Sequence, residues 1–201
     1  MEPSRSPEPI AALDPGERRT LAGIACGAIV AAVRARAFRL PAPDGSARLA
    51  APGASFVTLH RGGELRGCIG SIEPRRALVE DVAANARAAA LEDIRFDPVV
   101  ARELAELEVE LSVLSPLSPL SAGSRAELLA RLRPGVDGLV LEELHHRATF
   151  LPAVWEQLPE PIDFLAQLER KAGLAVGHWS TTLRFWRYAV ESFPAGRALE
   201  P

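Results

Sequence analysis

The sequence of 201 residues is poor in the residue types that build covalent cross-links and metal sites. Its two cysteines, Cys26 and Cys68, are too few for a disulfide framework, and no CxxC pair or Cys/His cluster has the spacing of a zinc site. No two histidines are four positions apart on a helix, so the sequence predicts no metal site. It also lacks a Gly-rich phosphate loop, a GxSxG motif and a dinucleotide fingerprint, and no cofactor is predicted.

The chain also has little charge excess and no long apolar run, and its first ten residues are not of the kind expected in a signal peptide. A formal net charge of −3 and a pI near 5.9 provide no basic field for a phosphate backbone, which disfavours a main role in nucleic-acid binding. The most apolar stretch, residues 21–33, is shorter than the ~20 residues that a membrane span requires. Residues 1–10 are rich in proline and serine and acidic rather than basic and apolar. We therefore expect a cytoplasmic protein without a membrane role.

The composition is that of an ordinary globular protein, with 48% apolar and 24% charged residues. A chain of this length buries roughly 70% of the surface that it exposes when unfolded, so its core needs no disulfide or metal. We expect one compact unit. Lys171 is the only lysine, and this preference for arginine, together with abundant alanine and leucine, predicts a GC-rich bacterial genome as the source.

Hydrophobic periodicity and turn signals predict helices and strands in alternation. Asp14, Pro15 and Glu17 have the spacing of a helix start with a capping box, and Gly62-Gly63 predicts a hairpin turn. The predicted helices are 15–37, 77–91, 125–132 and 162–172, and the predicted strands are 56–60, 64–72, 107–114, 139–144, 147–151 and 184–190. Strand pairs joined by short turns and separated by helices indicate an α+β fold, with an antiparallel sheet flanked by helices.

The predicted strand 64–72 contains the most chemically distinctive segment. Strict alternation places Arg66 and Cys68 on one face, and a guanidinium beside a thiol favours the reactive thiolate. Gly67 and Gly70 indicate a bulge, or a close approach by another backbone or a ligand. The alternative is that Cys68 is a small apolar filler, which is the usual role of an unpaired cysteine. Arg66 could likewise form a structural ion pair instead of binding an anion.

A histidine base for Cys68 is disfavoured within this hairpin. A two-residue turn pairs His60 with Leu65 and Val57 with Cys68, which places His60 on the face opposite the thiol. A one-residue bulge would reverse that placement. The other histidines give weaker signals, because His145 and His146 fall in a predicted turn and His178 follows a helix end.

Several short motifs resemble those of one family. Residues 65–70 form LRGCIG, 93–96 form DIRF, 111–115 form LSVLS, 135–138 form GVDG, 149–152 form TFLP before VW, and 171–174 form KAGL before Trp179. These motifs resemble the AMMECR domain family, called AmmeMemoRadiSam system protein A in many prokaryotes, and they span about residues 16–193. The resemblance implies an α+β fold with a larger and a smaller lobe, and with LRGCIG near the cleft between them. On this basis we expect a single two-lobed domain over 14–193, with flexible termini at 1–13 and 194–201.

The resemblance implies partners but no reaction. It implies a genomic link with a Memo-type protein and a radical-SAM protein, so two functions stay open. In the first, the segment acts on a small-molecule or modified substrate, with Cys68 as thiolate and Arg66 as anion contact. The other members of this site are Gly67, Gly70, Asp93 and Arg95. In the second, the chain is a non-catalytic adaptor that docks one of those partners. A third and weaker hypothesis is RNA contact through nearby arginines, which are Arg61, Arg66, Arg75 and Arg76.

Overall fold

The computed structural model describes residues 12–41 and 45–199, which divide into two compact units. The larger unit is formed by the described residues of Ala11–Leu114 and Glu191–Pro201, and the smaller unit by Ser115–Val190. The single two-lobed domain expected over residues 14–193 stays a prediction. None of the helices in the described ranges is long and apolar enough to cross a membrane.

The helices and strands confirm the α+β class. The helices are α1 (Pro15–Val33), α2 (Ala47–Ala50), α3 (Leu78–Leu91), α4 (Arg125–Arg131) and α5 (Pro161–Lys171). The strands are β1 (Pro52–Gly53), β2 (Ser55–Arg61), β3 (Glu64–Gly70), β4 (Arg76–Ala77), β5 (Leu107–Leu114), β6 (Ser118–Pro119), β7 (Gly138–Glu143), β8 (His146–Phe150), β9 (Arg184–Tyr188) and β10 (Val190–Arg197). Two short 3₁₀ turns lie at Ala101–Glu103 and Pro152–Glu156.

The start of α1 follows the predicted capping box, but its end does not follow the prediction. The Asp14 carboxylate accepts hydrogen bonds from the backbone N–H groups of Gly16 and Glu17 at 2.7 and 2.8 Å. The Glu17 carboxylate accepts one from the Asp14 N–H at 3.0 Å. The helix ends at Val33 rather than near residue 37, because Ala35 adopts a left-handed φ of 51°. Alanine gives no sequence signal for that conformation, which normally favours glycine.

The larger unit is built on a four-stranded antiparallel sheet in the order β10-β5-β2-β3. One face of the sheet packs against α1 and α3, and the side chains between them are buried. The opposite face carries half-buried or exposed polar side chains, because alternate residues of each strand point to opposite sides. A separate two-stranded sheet pairs β1 with β4. In the four-stranded sheet β3 comes last in the strand order, so it lies at an edge of that sheet.

The C-terminal strand corrects two predictions. A single final strand was expected over 184–190, but β9 ends at Tyr188 and β10 then continues to Arg197 in the other sheet. Residues 194–197 are thus part of a strand and not of a flexible terminus, although β10 contains Pro194 and Gly196. Such residues are tolerated because β10 is an edge strand. At the other end, the N–H of Leu13 donates to the Glu191 carboxylate at 2.9 Å, while residues 1–11 and 200–201 of the predicted termini lie outside the described ranges.

The smaller unit has its own antiparallel sheet, in the order β6-β9-β7-β8, and its own core. The rings of Trp155 and Phe164 stack in that core with centroids 3.7 Å apart. Gly138 of β7 lies opposite Tyr188 of β9, and a Cβ on Gly138 would lie 2.5 Å from the Tyr188 ring. The tyrosine ring thus occupies the space that a side chain at residue 138 would need.

Candidate functional site

The hairpin between β2 and β3 contains a bulge that determines which side chains meet at the site. Gly62 and Gly63 both have positive φ, 61° and 82°, as a two-residue hairpin turn requires. His60 pairs with Leu65 as predicted, but the register then shifts and Leu59 pairs with Gly67. Arg66 is the extra residue. The pairing of Val57 with Cys68 expected from a regular ladder is therefore wrong, and Thr58 lies opposite Cys68.

The bulge places the thiol beside a hydroxyl. Thr58 and Cys68 share a face, and the Thr58 Oγ1–H donates to Cys68 Sγ at 3.3 Å. His60 is two residues from Thr58, so it lies on the same face as Cys68, contrary to the prediction for a hairpin without a bulge. Among the described residues no hydrogen bond joins His60 to the thiol. Cys68 itself is half-buried, neither sealed in the core nor fully exposed.

The Arg66 guanidinium is held by a carboxylate rather than by the thiol. Its Nε and Nη2 donate to the two oxygens of Glu103 at 3.0 and 3.1 Å, and its Nη1 donates to the Asp97 carbonyl at 2.9 Å. The Arg66 side chain is only 17% exposed. The hydrogen bond from Arg66 holds the pKa of Glu103 below its usual range, against the opposing effect of burial. The hydrogen bonds of the guanidinium therefore go to Glu103 and to the Asp97 carbonyl, while its predicted role beside the thiolate stays a prediction.

Sequence reasoning missed Glu103 as the partner of Arg66. Glu103 lies 37 residues beyond Arg66 along the chain, outside the predicted hairpin. The available signal was local: the Glu103 carboxylate accepts from the N–H of Val100, three residues earlier, as a helix-start glutamate does. A carboxylate fixed in that way is available to an arginine from another part of the fold.

Asp93 and Arg95 bind the outer edge of β3. The Cys68 N–H donates to Asp93 Oδ2 at 2.8 Å, and Arg95 Nη2 donates to the Cys68 carbonyl at 3.3 Å. The two side chains also pair with each other, at 2.9 and 2.6 Å. Hydrogen bonding from Arg95 holds the pKa of the Asp93 carboxyl well below its usual range. These side chains therefore form hydrogen bonds with backbone groups that an edge strand would otherwise leave unpaired.

The two glycines of the segment permit close packing on opposite sides of the sheet. A Cβ on Gly67 would lie 2.3 Å from the Ala89 carbonyl oxygen of α3. A Cβ on Gly70 would lie 2.2 Å from the ring of Phe56, its cross-strand partner. The predicted close approach is thus made by the protein's own helix and ring.

An apolar surface adjoins this edge. Ile94, between Asp93 and Arg95, is 100% exposed, and Leu65 and Val100 are 41% and 42% exposed. The guanidinium carbons of Arg66 and Arg95 lie 6.0 and 5.5 Å from the centre of the Phe96 ring. We call this surface the signature edge, and define it as residues 65–68 together with residues 93–100.

The arginines that suggested RNA contact are all paired with carboxylates. Arg61 pairs with Glu103 and Glu106, and Arg66 pairs with Glu103. Arg75 and Arg76 pair with Glu73 and Asp81. Their charges are therefore largely compensated within the fold, and the basic patch on which that hypothesis depended is not formed. No group of three or more His, Cys, Asp or Glu residues that could hold a metal ion occurs in the part of the chain that the structure describes.

The family model named AMMECR1 matches residues 22–193. The chain belongs to the AMMECR1 family. It is 39% identical over 142 residues to a protein of Methanothermobacter thermautotrophicus, an alignment that covers 69% of this chain and 73% of that protein. It is 35% identical over 153 residues to a protein of Methanocaldococcus jannaschii, with 72% and 76% covered. The crystal structure of an uncharacterized protein from Pyrococcus horikoshii is similar at a TM-score of 0.74 and 31% identity, with 88% of this chain and 90% of that chain covered.

These matches confirm the resemblance predicted from the motifs. They also support the fold class, because the similar solved structure covers most of both chains. The relatives named above are archaeal, so they give no support to the bacterial source predicted from arginine usage. Membership of the AMMECR1 family therefore indicates the fold of this chain but does not indicate a reaction.

Proposed function

We propose that this AMMECR1-family chain is a binding domain of a system that also contains a Memo-type protein and a radical-SAM protein. In this proposal the signature edge is the surface on which a protein partner docks, and those two proteins are the candidates that the family resemblance implies. The observation that carries the proposal is the complete exposure of Ile94 on a loop that is tied to β3 on both sides of that residue.

Rigidity is the physical reason that such a surface suits binding. Ordering flexible loops and side chains on association costs free energy, so an apolar residue that is already fixed loses less on binding. Asp93 and Arg95 fix the backbone on both sides of Ile94 through the backbone of Cys68. Arg95 is 52% exposed and adds a polar rim of the kind enriched at protein interfaces.

The contacts of the LRGCIG segment favour docking over catalysis. Arg66 is bonded to Glu103, Gly67 contacts α3, and Gly70 lies beneath Phe56. The backbone of Cys68 is bonded to Asp93 and Arg95. These groups hold an edge strand in a fixed position, which is the requirement for a docking surface rather than for proton transfer.

The docking proposal is tested with an exposed isoleucine on each unit. Ile94→Asp places a charge at the centre of the signature edge, while Ile162→Asp makes the same change at a residue of α5 that is 57% exposed. Purified Memo-type and radical-SAM proteins from the same genome are titrated against each variant. We expect Ile94→Asp to weaken binding of one of them by about 2 kcal/mol, roughly 30-fold, as for a central interface residue. Ile162→Asp is expected to bind as the parent does. Equal binding by all three forms, with folding verified by circular dichroism, would refute the docking proposal.

A second candidate is small-molecule or modification chemistry at the Cys68 thiol, with Arg66 as an anion contact. It is favoured by one observation: the Cys68 side chain is only half-buried, and its Sγ accepts a hydrogen bond from the hydroxyl of Thr58. Alkylation of the native protein over a range of pH tests it. A depressed titration midpoint supports the thiolate, whereas a midpoint near the ordinary value of about 8.5, or no reaction, argues against it.

Cys68→Ser separates the two candidates. If the variant binds its partner normally but loses a cellular function, the thiol acts chemically. If both binding and function survive, the thiol is a packing residue and the docking proposal stands on Ile94 alone.

A further inference from the structure

The arginines of the larger unit are concentrated in one stretch of the chain. Residues 18–63 contain seven arginines and a single acidic residue, whereas the rest of the chain contains 16 basic and 25 acidic residues. Three of the seven form ion pairs with carboxylates from outside the stretch, and these are Arg18, Arg48 and Arg61. A fourth, Arg19, lines a cavity at the start of α1 together with the acidic residues Asp14 and Glu17. The remaining three follow the end of α1, and we call Arg34, Arg36 and Arg39 the arginine surface.

The backbone that carries the arginine surface is fixed against α1. Ala35, with its left-handed φ of 51°, turns the chain back directly after the helix, and the Arg36 N–H donates to the Ala31 carbonyl at 2.8 Å. The Phe38 ring then packs on α1 at Gly27, where an added Cβ would lie 2.8 Å from the ring. The segment is therefore held at two points, and less conformational freedom is lost when its side chains bind a partner.

The charges of the arginine surface are not compensated by the described residues. All three side chains are exposed, and none forms an ion pair or a side-chain hydrogen bond with another described residue. Arg34 is the C-cap residue of α1, where a positive charge interacts favourably with the helix dipole. Arg36 and Arg39 lie beyond the helix end and have no such role. Because like charges near one another repel, a bound anionic group would stabilise this arrangement.

We propose that the arginine surface binds an acidic segment of a partner protein, a run of Glu or Asp side chains. The planar guanidinium donates in a fixed fork that matches the two oxygens of a carboxylate, and it stays charged at physiological pH. The partner's carboxylates would supply the ion pairs that Arg36 and Arg39 lack within the described part of this chain. This interaction goes beyond the proposed docking at the signature edge, since it uses other residues and a charged rather than an apolar contact.

Two observations favour an acidic protein segment over the other common polyanions. A single strand of nucleic acid is bound largely by stacking of its bases on aromatic rings, and the ring of Phe38 is packed against Gly27. A membrane surface is bound by apolar side chains that insert beside the basic ones. No large apolar side chain within residues 12–41 is exposed, so nothing there inserts into a bilayer.

The binding of an octaglutamate peptide to the full chain tests the arginine surface. The peptide carries a fluorescein label, and fluorescence anisotropy measures its Kd at low salt and at ~0.15 M salt. The double variant Arg36→Gln with Arg39→Gln is expected to raise the Kd about tenfold, the effect of losing two exposed ion pairs. Salt screens exposed charges, so added salt should weaken binding by the parent more than by the variant. Arg34 is left in place because of its position at the helix end.

A second double variant controls for the net charge of the chain. Arg102→Gln with Arg170→Gln removes the same charge from two exposed arginines that also form no ion pair with the described residues. We expect this variant to bind the peptide as the parent does, and thermal unfolding verifies that both double variants are folded. The proposal is overturned if the parent does not bind octaglutamate, or if the two double variants weaken binding equally.

Further probes identify the class of partner and separate this surface from the signature edge. Oligouridylate RNA and vesicles containing phosphatidylserine are measured under the same conditions. Tighter binding of either one that depends on Arg36 and Arg39 would overturn the assignment to an acidic protein segment. Ile94→Asp is expected to bind octaglutamate as the parent does. Loss of peptide binding in Ile94→Asp, with Arg36→Gln and Arg39→Gln without effect, would place the peptide on the signature edge and overturn the proposal while leaving the docking function intact.

Discussion

Replacing Gly67 with alanine tests the contact between β3 and α3 on which the signature edge depends. The added Cβ would lie 2.3 Å from the Ala89 carbonyl oxygen and 3.3 Å from its carbon, and real Cβ contacts essentially never fall below 3.0 Å. Both atoms belong to the helix backbone, so no side-chain rotation relieves the contact and the strand or the helix must move. Overpacking of a core costs typically 1–3 kcal/mol, and a clash with backbone places this variant at about 3 kcal/mol.

Thermal and urea unfolding measure this cost. For a chain of this size, about 1 kcal/mol corresponds to roughly 2–4 °C in Tm, so the expected decrease is roughly 6–12 °C. Gly23→Ala is the matched control, because Gly23 lies within α1 and a Cβ there meets no atom within 4 Å. Alanine in a helix is favoured over glycine by about 0.5–1 kcal/mol, so the control should gain stability. If Gly67→Ala is as stable as the parent, β3 and α3 do not touch at this point and the account of the glycine is wrong.

Three further predictions concern charge. Arg66→Met should lower the free energy of unfolding by about 2 kcal/mol, because it leaves the buried Glu103 without its main partner. The control Arg75→Met changes a side chain that is 81% exposed and should cost less than about 1 kcal/mol. Urea unfolding measures both. Equal costs would contradict the assignment of the Arg66 pair. The depressed pKa of Asp93 means that its stabilising contribution is complete above the unfolded value of about 3.9 and is lost as pH falls further, so Asp93→Asn should lose less stability than the parent in acid unfolding. Burial raises the pKa of Tyr188, the only tyrosine, to about 12, so its stabilising contribution is present below the ordinary value of about 10 and lost as pH rises toward 12. Phenolate absorbance of the folded protein checks this, and a midpoint near 10 would contradict it.

The sequence predicted elements whose signals are local. The alternation of residues 107–114 predicted β5 with its observed bounds, and the capping box predicted the start of α1. The end of α1 was not predicted because Ala35 adopts a left-handed conformation, for which alanine gives no signal in the sequence. β10 was missed because Pro194 and Gly196 disfavour a strand, and only its place at the sheet edge makes them acceptable.

The site was harder to predict than the fold, because its contacts join distant parts of the chain. The sequence singled out residues 65–70 and named Asp93 and Arg95 with them, and in the structure both of these side chains bond to the backbone of Cys68. Which side chains meet there depends on the bulge at Arg66, and a shift of one residue exchanges the two faces of a strand. Glu103 lies 37 residues from Arg66, and no pattern within either segment connects them.

The two sheets use the same packing device, and this bears on what the family motifs mean. In the larger unit the ring of Phe56 covers Gly70, and in the smaller unit the ring of Tyr188 covers Gly138, in each case across a strand pair. A side chain on either glycine would displace the ring, so both positions are restricted by packing alone. Because such motif residues are required by the fold, a match to them identifies the family without specifying a reaction. The side chains that packing does not account for are the exposed Ile94 and the thiol of Cys68, and these are therefore the candidates for function.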